Sequence, residues 1–307
     1  MKIFNKTQIL NALPPVNDLL NIIESGFISY SNKKCLIPPV GYLPLPNGEI
    51  HIKYGMEENA GFAVIKIAAG SYKNSALGLP SSSGLNLIYD TKTGFPVSLL
   101  YDEGLLTDVR TAIAGALVAH NLSLKPDKFS IIGSGGQAYF QALYTCKTLC
   151  LNQVHVYGRS DDTIKILMKK LEPHKIDVIP HTSIKKACQN ADLITTVTPS
   201  KEPLIFKSWL KPNVHINAFG SDAEGKRELS LDLLAEADLL LCDSIEQCLT
   251  QGELQYLNEI KEHQQPVELG DYFSKELKPE EGLSICDFTG VAIQDIKISE
   301  AVYKNLI

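Results

Sequence analysis

Several things are scarce in this sequence of 307 residues, and each scarcity removes a class of function. No apolar run approaches the roughly 20 residues that span a bilayer, so no membrane partner is expected. An excess of basic charge is missing: 29 Lys and Arg stand against 35 Asp and Glu, for a formal net charge of −6. With no basic stripe to neutralise phosphates, nucleic acid is not an expected partner. The seven cysteines are odd in number and contain no C-x-x-C pair, which points to reduced thiols in a cytoplasmic protein. Cys146 and Cys150, one helical turn apart, read as core or near-core thiols. The histidines His120, His155, His174, His181, His215 and His263 show no metal-ligand spacing, so no metal site is expected. There is no Gly-x-Ser-x-Gly elbow, no Cys/His pairing, no internal repeat and no low-complexity linker. Asn, Thr and Gln interrupt the opening MKIFNKTQILNALPP and no small-residue cleavage site follows, so it does not read as a signal peptide.

What is present is enough apolar material for a proper core, 44% hydrophobic against 21% charged, over a length that suits two domains. Residues 1 to about 28 read as helical, with Val16, Leu19, Leu20, Ile23 and Phe27 on one face. Four strand-like runs follow, GEIHIKYG, GFAVIKIAAG, GLNLIYD and TGFPVSLLYD, separated by Gly and Pro as in a sheet of hairpins and meanders. An Ala-rich helix, TDVRTAIAGALVAHNLSL, is then expected to be capped by Thr107 or Asp108. From residue 128 the rhythm changes. FSIIG, QVHVY, IDVIP, DLITTV, VHINAF and ADLLLCD are buried-strand runs mostly separated by helical stretches, the pattern of a parallel sheet with crossover helices. After about residue 283 the chain reads as a loop and a final amphipathic helix.

The segment SIIGSGGQA fits G-x-G-x-x-A between a strand and a helix. Gly133 permits the tight turn, Gly135 lets a pyrophosphate approach the backbone, and Ala138 lets helix and strand pack closely. Ser134, Gly136 and Gln137 complete the loop, whose helix N–H groups point at phosphates. The alternative is a glycine turn without a ligand. In NAD-binding units an acidic residue just past the next strand holds the adenosine ribose. Here Gly158, Arg159 and Ser160 occupy that place, and Arg159 can pair with a 2′-phosphate. The reading leans to NADP(H) over NAD(H), although Asp161 lies close behind and Arg159 could be a solvated surface arginine.

Four blocks, DEGLLTDVRTAIAGALVA, IIGSGGQAYFQ, HINAFGSDAEGKREL and DFTGVAIQD, occur in an order and spacing that resemble the ornithine cyclodeaminase/mu-crystallin family over nearly the whole chain. The resemblance implies an α/β protein: a Rossmann dinucleotide-binding domain, residues 123–285, and a discontinuous α+β substrate-binding and dimerisation domain, residues 1–122 and 286–307. It also implies hydride transfer between a nicotinamide and the α-carbon of a small amino acid or its imine, in a homodimer. Thr198 and Ala218, Phe219 and Gly220 are then expected to line the nicotinamide, and Thr111 to touch the cofactor phosphates.

The chemistry can also be read from the residues. An α-imino acid needs a cation for its carboxylate. Lys66 is a charge amid apolar residues, and Arg110 lies early in a helix, where a cation opposes the dipole. Arg grips a carboxylate bidentately and Lys as a point charge. The resemblance places the family's carboxylate-binding Lys and Arg at these positions. The alternatives are a Lys66 snorkelling from an edge strand and an ordinary ion pair of Arg110 with Asp102, Glu103 or Asp108. A proton must also move, and Asp222, following a parallel strand, matches the family's acid/base; its alternative is a turn cap.

One departure stands out. Family members often carry an Arg in a P-x-R segment, where this chain has Val40 in IPPVGYL. Lys53 or His51, which strand alternation puts on one face, is expected to replace that cation, unless the substrate or the activity has changed. The leading reading is an NAD(P)H-dependent imine or ketimine reductase or amino-acid dehydrogenase, for example taking Δ1-pyrroline-2-carboxylate to proline. The alternatives are an ornithine cyclodeaminase-type lyase and a non-catalytic NADP(H) or small-ligand binder.

Overall fold

The computed structural model describes residues 1–80, 82–275 and 281–307. The chain forms two compact units, Met1–Arg110 with Val291–Ile307, and Thr111–Gly290.

The first unit opens with β1 (Lys2–Asn5), α1 (Lys6–Asn11) and α2 (Val16–Ser31). The single helical stretch expected here is thus divided. Asn5 caps α1 through a reciprocal box with Gln8, and Pro14 and Pro15 separate the two helices. Of the expected apolar face of α2, Leu19, Leu20, Ile23 and Phe27 are buried and Val16 is half-buried. Next come β2 (Cys35–Leu36), β3 (Gly41–Leu45), β4 (Gly48–Glu57), β5 (Phe62–Gly70), β6 (Ser82–Asp90) and β7 (Pro96–Tyr101). Strands β3 to β7 pair antiparallel in sequence, β2 also pairs β4, and β1 closes the far side parallel to β7. The meander read from the sequence is therefore the core of this sheet.

Helix α3 (Leu105–Asn121) starts two residues before the expected cap at Thr107. Asp102, three residues ahead of the helix, caps its first turn from outside: its carboxylate accepts from the Leu106 amide at 2.8 Å. Glu103 and Gly104 make the turn with φ of 55° and 89°.

The second unit continues with β8 (Phe129–Ile132), α4 (Gly136–Leu149), β9 (Gln153–Tyr157), α5 (Asp161–Leu171), β10 (Asp177–Pro180), α6 (Ile184–Cys188) and β11 (Leu193–Thr196). It goes on through β12 (Val214–Ala218), α7 (Leu231–Ala235), β13 (Leu239–Cys242), α8 (Ile245–Gln251), β14 (Val267–Glu268), α9 (Leu269–Ser274) and β15 (Leu283–Asp287). Among the described residues its sheet has eight strands, all parallel, in the order β10-β9-β8-β11-β12-β15-β13-β14. The first five follow the doubly wound order 3-2-1-4-5, with the reversal between β8 and β11. The loop expected after residue 283 is corrected: Leu283–Asp287 is a fully buried strand slotted between β12 and β13. Cys146 is buried as expected, whereas Cys150 ends α4 in a left-handed turn and is exposed. The chain finishes with α10 (Ala292–Leu306), which returns to the first unit.

Candidate active site

In the first unit, antiparallel register decides which side chains meet. Lys53 on β4 pairs with Lys66 on β5, and Lys66 pairs with Asn86 on β6. Directly paired residues share a face, so the three stand in a row. Strand β5 is flanked by β4 and β6, and Lys66 is 3% exposed, which rules out snorkelling from an edge.

The charge beside Lys66 is Asp295, in the first turn of α10, where the helix dipole favours an anion. Lys66 Nζ lies 2.8 Å from Asp295 Oδ2, and Arg110 Nε donates to Asp295 Oδ1 at 3.1 Å. Arg110 Nη1 also donates to Gln294 Oε1 at 2.8 Å. All four groups are buried. The ion pair weighed as the alternative role for Arg110 exists, but with a residue 185 positions away and not with Asp102, Glu103 or Asp108. Burial pushes the Lys66 ammonium below its ordinary value, and Arg110 adds to the shift while Asp295 opposes it. Burial alone would raise Asp295, but Arg110, Lys66 and Lys53 hold it below the usual carboxylate range. Asp102 closes the cluster. Burial raises it to about 6, against the Leu106 amide bond, and it accepts a hydrogen bond from Asn86 Nδ2 at 3.3 Å. The buried Asn86 Oδ1 has no hydrogen-bond partner among the described residues. Lys53 is half-buried; His51 instead lies 3.3 Å from Glu49 and edge-on to Tyr42. Val40 is half-buried in the link between β2 and β3.

The second unit places the glycine loop directly after β8, at the sheet's reversal point, where ligands of such sheets bind. Gly133 has φ of 123°, and a Cβ there would sit 2.8 Å from Val197 Cγ2. A Cβ on Gly135 or Gly136 would meet nothing within 4 Å, so packing within the chain does not demand glycine at either position. Close approach of a phosphate does demand it, and the residues present therefore fit a dinucleotide. Ser134 Oγ is 2.6 Å from Thr163 Oγ1, Gln137 Oε1 accepts from Gln141 Nε2 at 3.4 Å, and Ala138 is fully buried. The Thr111 carbonyl accepts from the same Gln141 amide at 3.4 Å. Arg159 is exposed at the end of β9 and makes no ion pair among the described residues; Ser160 caps α5.

The loops after β11 and β12 are joined by a carboxylate to which the motif reading assigned no role, although it lies in the quoted GKREL. Glu228, fully buried, accepts from Thr198 N and Thr198 Oγ1 through Oε1, each at 2.7 Å. Its Oε2 takes the Gly220 amide at 2.8 Å and the Thr196 hydroxyl. Burial raises Glu228, and these bonds oppose the rise. Ala218 is buried, and Phe219 stacks on Phe288 at 4.2 Å. Asp222 is half-exposed and pairs with Lys226 Nζ at 2.6 Å; the Lys226 side chain is the more buried of the two. Thus Thr198 and Gly220 share one anchor, and Lys66 and Arg110 share another. Asp295, Gln294, Asn86 and Glu228 are the members that motif spacing did not identify.

Comparison with known proteins agrees with this layout. Residues 2–307 match the family model described as "Ornithine cyclodeaminase/mu-crystallin family". A Sinorhizobium fredii protein described as an uncharacterized cyclodeaminase is 30% identical over 99% of this chain and 96% of its own length. An archaeal alanine dehydrogenase dimer with bound NAD superposes with a TM-score of 0.86 at 26% identity, covering 99% of this chain and 95% of that one. The Δ1-pyrroline-2-carboxylate reductase of Thermococcus litoralis, in complex with NADH and L-proline, superposes with a TM-score of 0.90 at 23% identity, over 99% of this chain and 97% of that one. The homologues are thus nicotinamide-dependent oxidoreductases and cyclodeaminases, and this chain belongs to the ornithine cyclodeaminase/mu-crystallin family.

Proposed function

We propose that this protein is an NAD(P)H-dependent reductase of a small α-imino acid, with Δ1-pyrroline-2-carboxylate as the type substrate, or the amino-acid dehydrogenase that runs the same step in reverse. The observation that carries the reading is the buried cation pair. Arg110 spends Nε on Asp295 and Nη1 on Gln294, while Nη2 makes no hydrogen bond among the described residues. Lys66 has three donors, of which Asp295 faces one. With Lys53, three cations meet two carboxylates, Asp295 and Asp102, a balance that a substrate carboxylate evens. Lys53, paired in register with Lys66, adds to that field in place of the arginine missing at Val40.

The loop from Gly133 to Ala138 holds the dinucleotide phosphates, with Thr111 beside them, and Thr198 and Ala218–Gly220 line the nicotinamide. When bound, the nicotinamide supplies or accepts the hydride. Lys66 and Arg110 orient the substrate and draw electron density from its C=N bond. Asp222, held by Lys226, exchanges the proton that the nitrogen gains or loses. Exposed Arg159 supports a preference for NADPH through its 2′-phosphate. A homodimer is supported by exposed apolar side chains at Leu36, Tyr42 and Leu43 on β2 and β3.

Two incubations test this. With NADPH and Δ1-pyrroline-2-carboxylate, absorbance of the reduced nicotinamide should fall and proline should appear. The second reading, favoured by the rhizobial relative's description, is a cyclodeaminase: ornithine with NAD would release ammonia and proline with no net change in cofactor. Cofactor binding with neither outcome would overturn both readings.

A further inference from the structure

We infer that Asp295 and Gln294 are positioning residues: from adjacent places in the first turn of α10 they aim Arg110 and keep Lys66 charged, so that both cations are set before an acid group arrives. The inference rests on the proposed carboxylate site and goes beyond it, since neither residue touches the substrate in that reading.

The geometry is specific. Asp295 divides its two oxygens between two different elements, Oδ2 toward Lys66 on β5 and Oδ1 toward Arg110 on α3. Gln294 takes a second donor of the same guanidinium, so two acceptors fix the guanidinium plane. Arg110 carries about four rotatable side-chain bonds, and holding them in advance removes an ordering cost from substrate binding. The charged groups facing Lys66 come from every element around it: Lys53 from β4, Asp102 ahead of α3, Arg110 from α3 and Asp295 from α10. Of the two carboxylates, Asp295 opposes loss of the Lys66 proton more strongly than Asp102 does. Without it, a buried lysine beside Arg110 gives up its proton at a lower pH.

Asp295→Asn keeps size and an acceptor but removes the charge. The expected result, with NADPH and Δ1-pyrroline-2-carboxylate, is a KM raised at least about tenfold at pH 8. The rise of KM on the alkaline side should begin about one pH unit or more lower than in the unaltered protein. Asp295→Glu should restore part of the pH profile, and NADPH affinity should be unchanged in both. A lowered melting temperature with KM and its pH dependence unchanged would overturn the inference, because a purely structural role predicts that pattern. If Asp295→Asn does not fold, Gln294→Met carries the test: KM should rise about threefold without a pH shift, and an unchanged KM would overturn the inference. Lys66→Met separates this inference from the reading beneath it. If Lys66→Met raises KM and Asp295→Asn does not, only the positioning role fails. If neither changes KM, the carboxylate site itself is misassigned.

Discussion

Lys53 and Lys66 stand directly opposite each other across β4 and β5. Side chains so paired start about 5 Å apart and share a face, and like charges in that relationship destabilise a sheet. A fold optimised for stability alone would not pair them. In the proposed reading the pairing serves to meet a substrate anion, beside the carboxylates Asp295 and Asp102 that face Lys66 from within the chain.

Replacing Lys53 by Met should therefore raise the KM for an imino acid about tenfold, the worth of one half-buried charged contact, while leaving kcat within about twofold. Steady-state kinetics on Δ1-pyrroline-2-carboxylate check this. An unchanged KM would mean that Lys53 does not stand in for the arginine absent at Val40.

Two glycines of the loop should respond oppositely to alanine. At Gly133 a Cβ meets Val197 at 2.8 Å and φ is 123°, so the variant should lose about 2 kcal/mol or more in denaturant melts. At Gly135, where φ is −79° and a Cβ meets nothing within 4 Å, stability should stay within about 1 kcal/mol. In the proposed reading the methyl stands where a phosphate approaches, so dinucleotide affinity measured by calorimetry should nonetheless fall at least about tenfold.

Glu228→Gln should cost about 2–3 kcal/mol in stability. Each carboxylate oxygen receives a fixed backbone donor, Thr198 N on Oε1 and Gly220 N on Oε2. Whichever way the amide turns, its NH2 confronts one of these N–H groups. Chemical denaturation gives the stability, and the same sample should bind NADPH more weakly because both loops lose their anchor.

Stability should also depend on pH in a direction set by buried carboxyls. Asp287 is raised to about 7, chiefly by burial, and Asp102 to about 6. The folded state thus binds protons that the unfolded chain has released above about pH 4, so the contribution of these groups is present below pH 4 and fades as pH rises through 6 and 7. Asp295, held below its ordinary value, works the other way, losing its contribution as pH falls through its lowered pKa. Denaturant midpoints should accordingly be higher near pH 5 than near pH 8. Asp287→Asn should flatten the decline between those values, and an unaltered slope would remove Asp287 as its cause.

What could be read in advance follows the range of the forces involved. The turn and helix start at Gly133 to Ala138 were legible because they are local demands met within six consecutive residues. The strands β4 to β7 were legible from alternation and turn residues. Arg110 was legible as a cation out of place near a helix start, but the within-chain partners weighed as the alternative for it were the nearby Asp102, Glu103 and Asp108. Asp102 proved to be the helix cap, and the partner lay on α10. Likewise LSICD carries too short an apolar run to stand out from a loop, and it is a strand because a slot between β12 and β13 receives it.

The sequence by itself determined the parallel rhythm after residue 128, the glycine loop, the family and the two cations worth watching. These rest on spacing along the chain, which a reader of the chain can count. Tertiary structure alone decided that Lys53, Lys66 and Asn86 form one row, that Asp295 joins Lys66 to Arg110, and that Glu228 ties Thr198 to Gly220. Strand register and the return of the last helix make those contacts, and desolvation, which exists only once the groups are buried together, gives them their charge states.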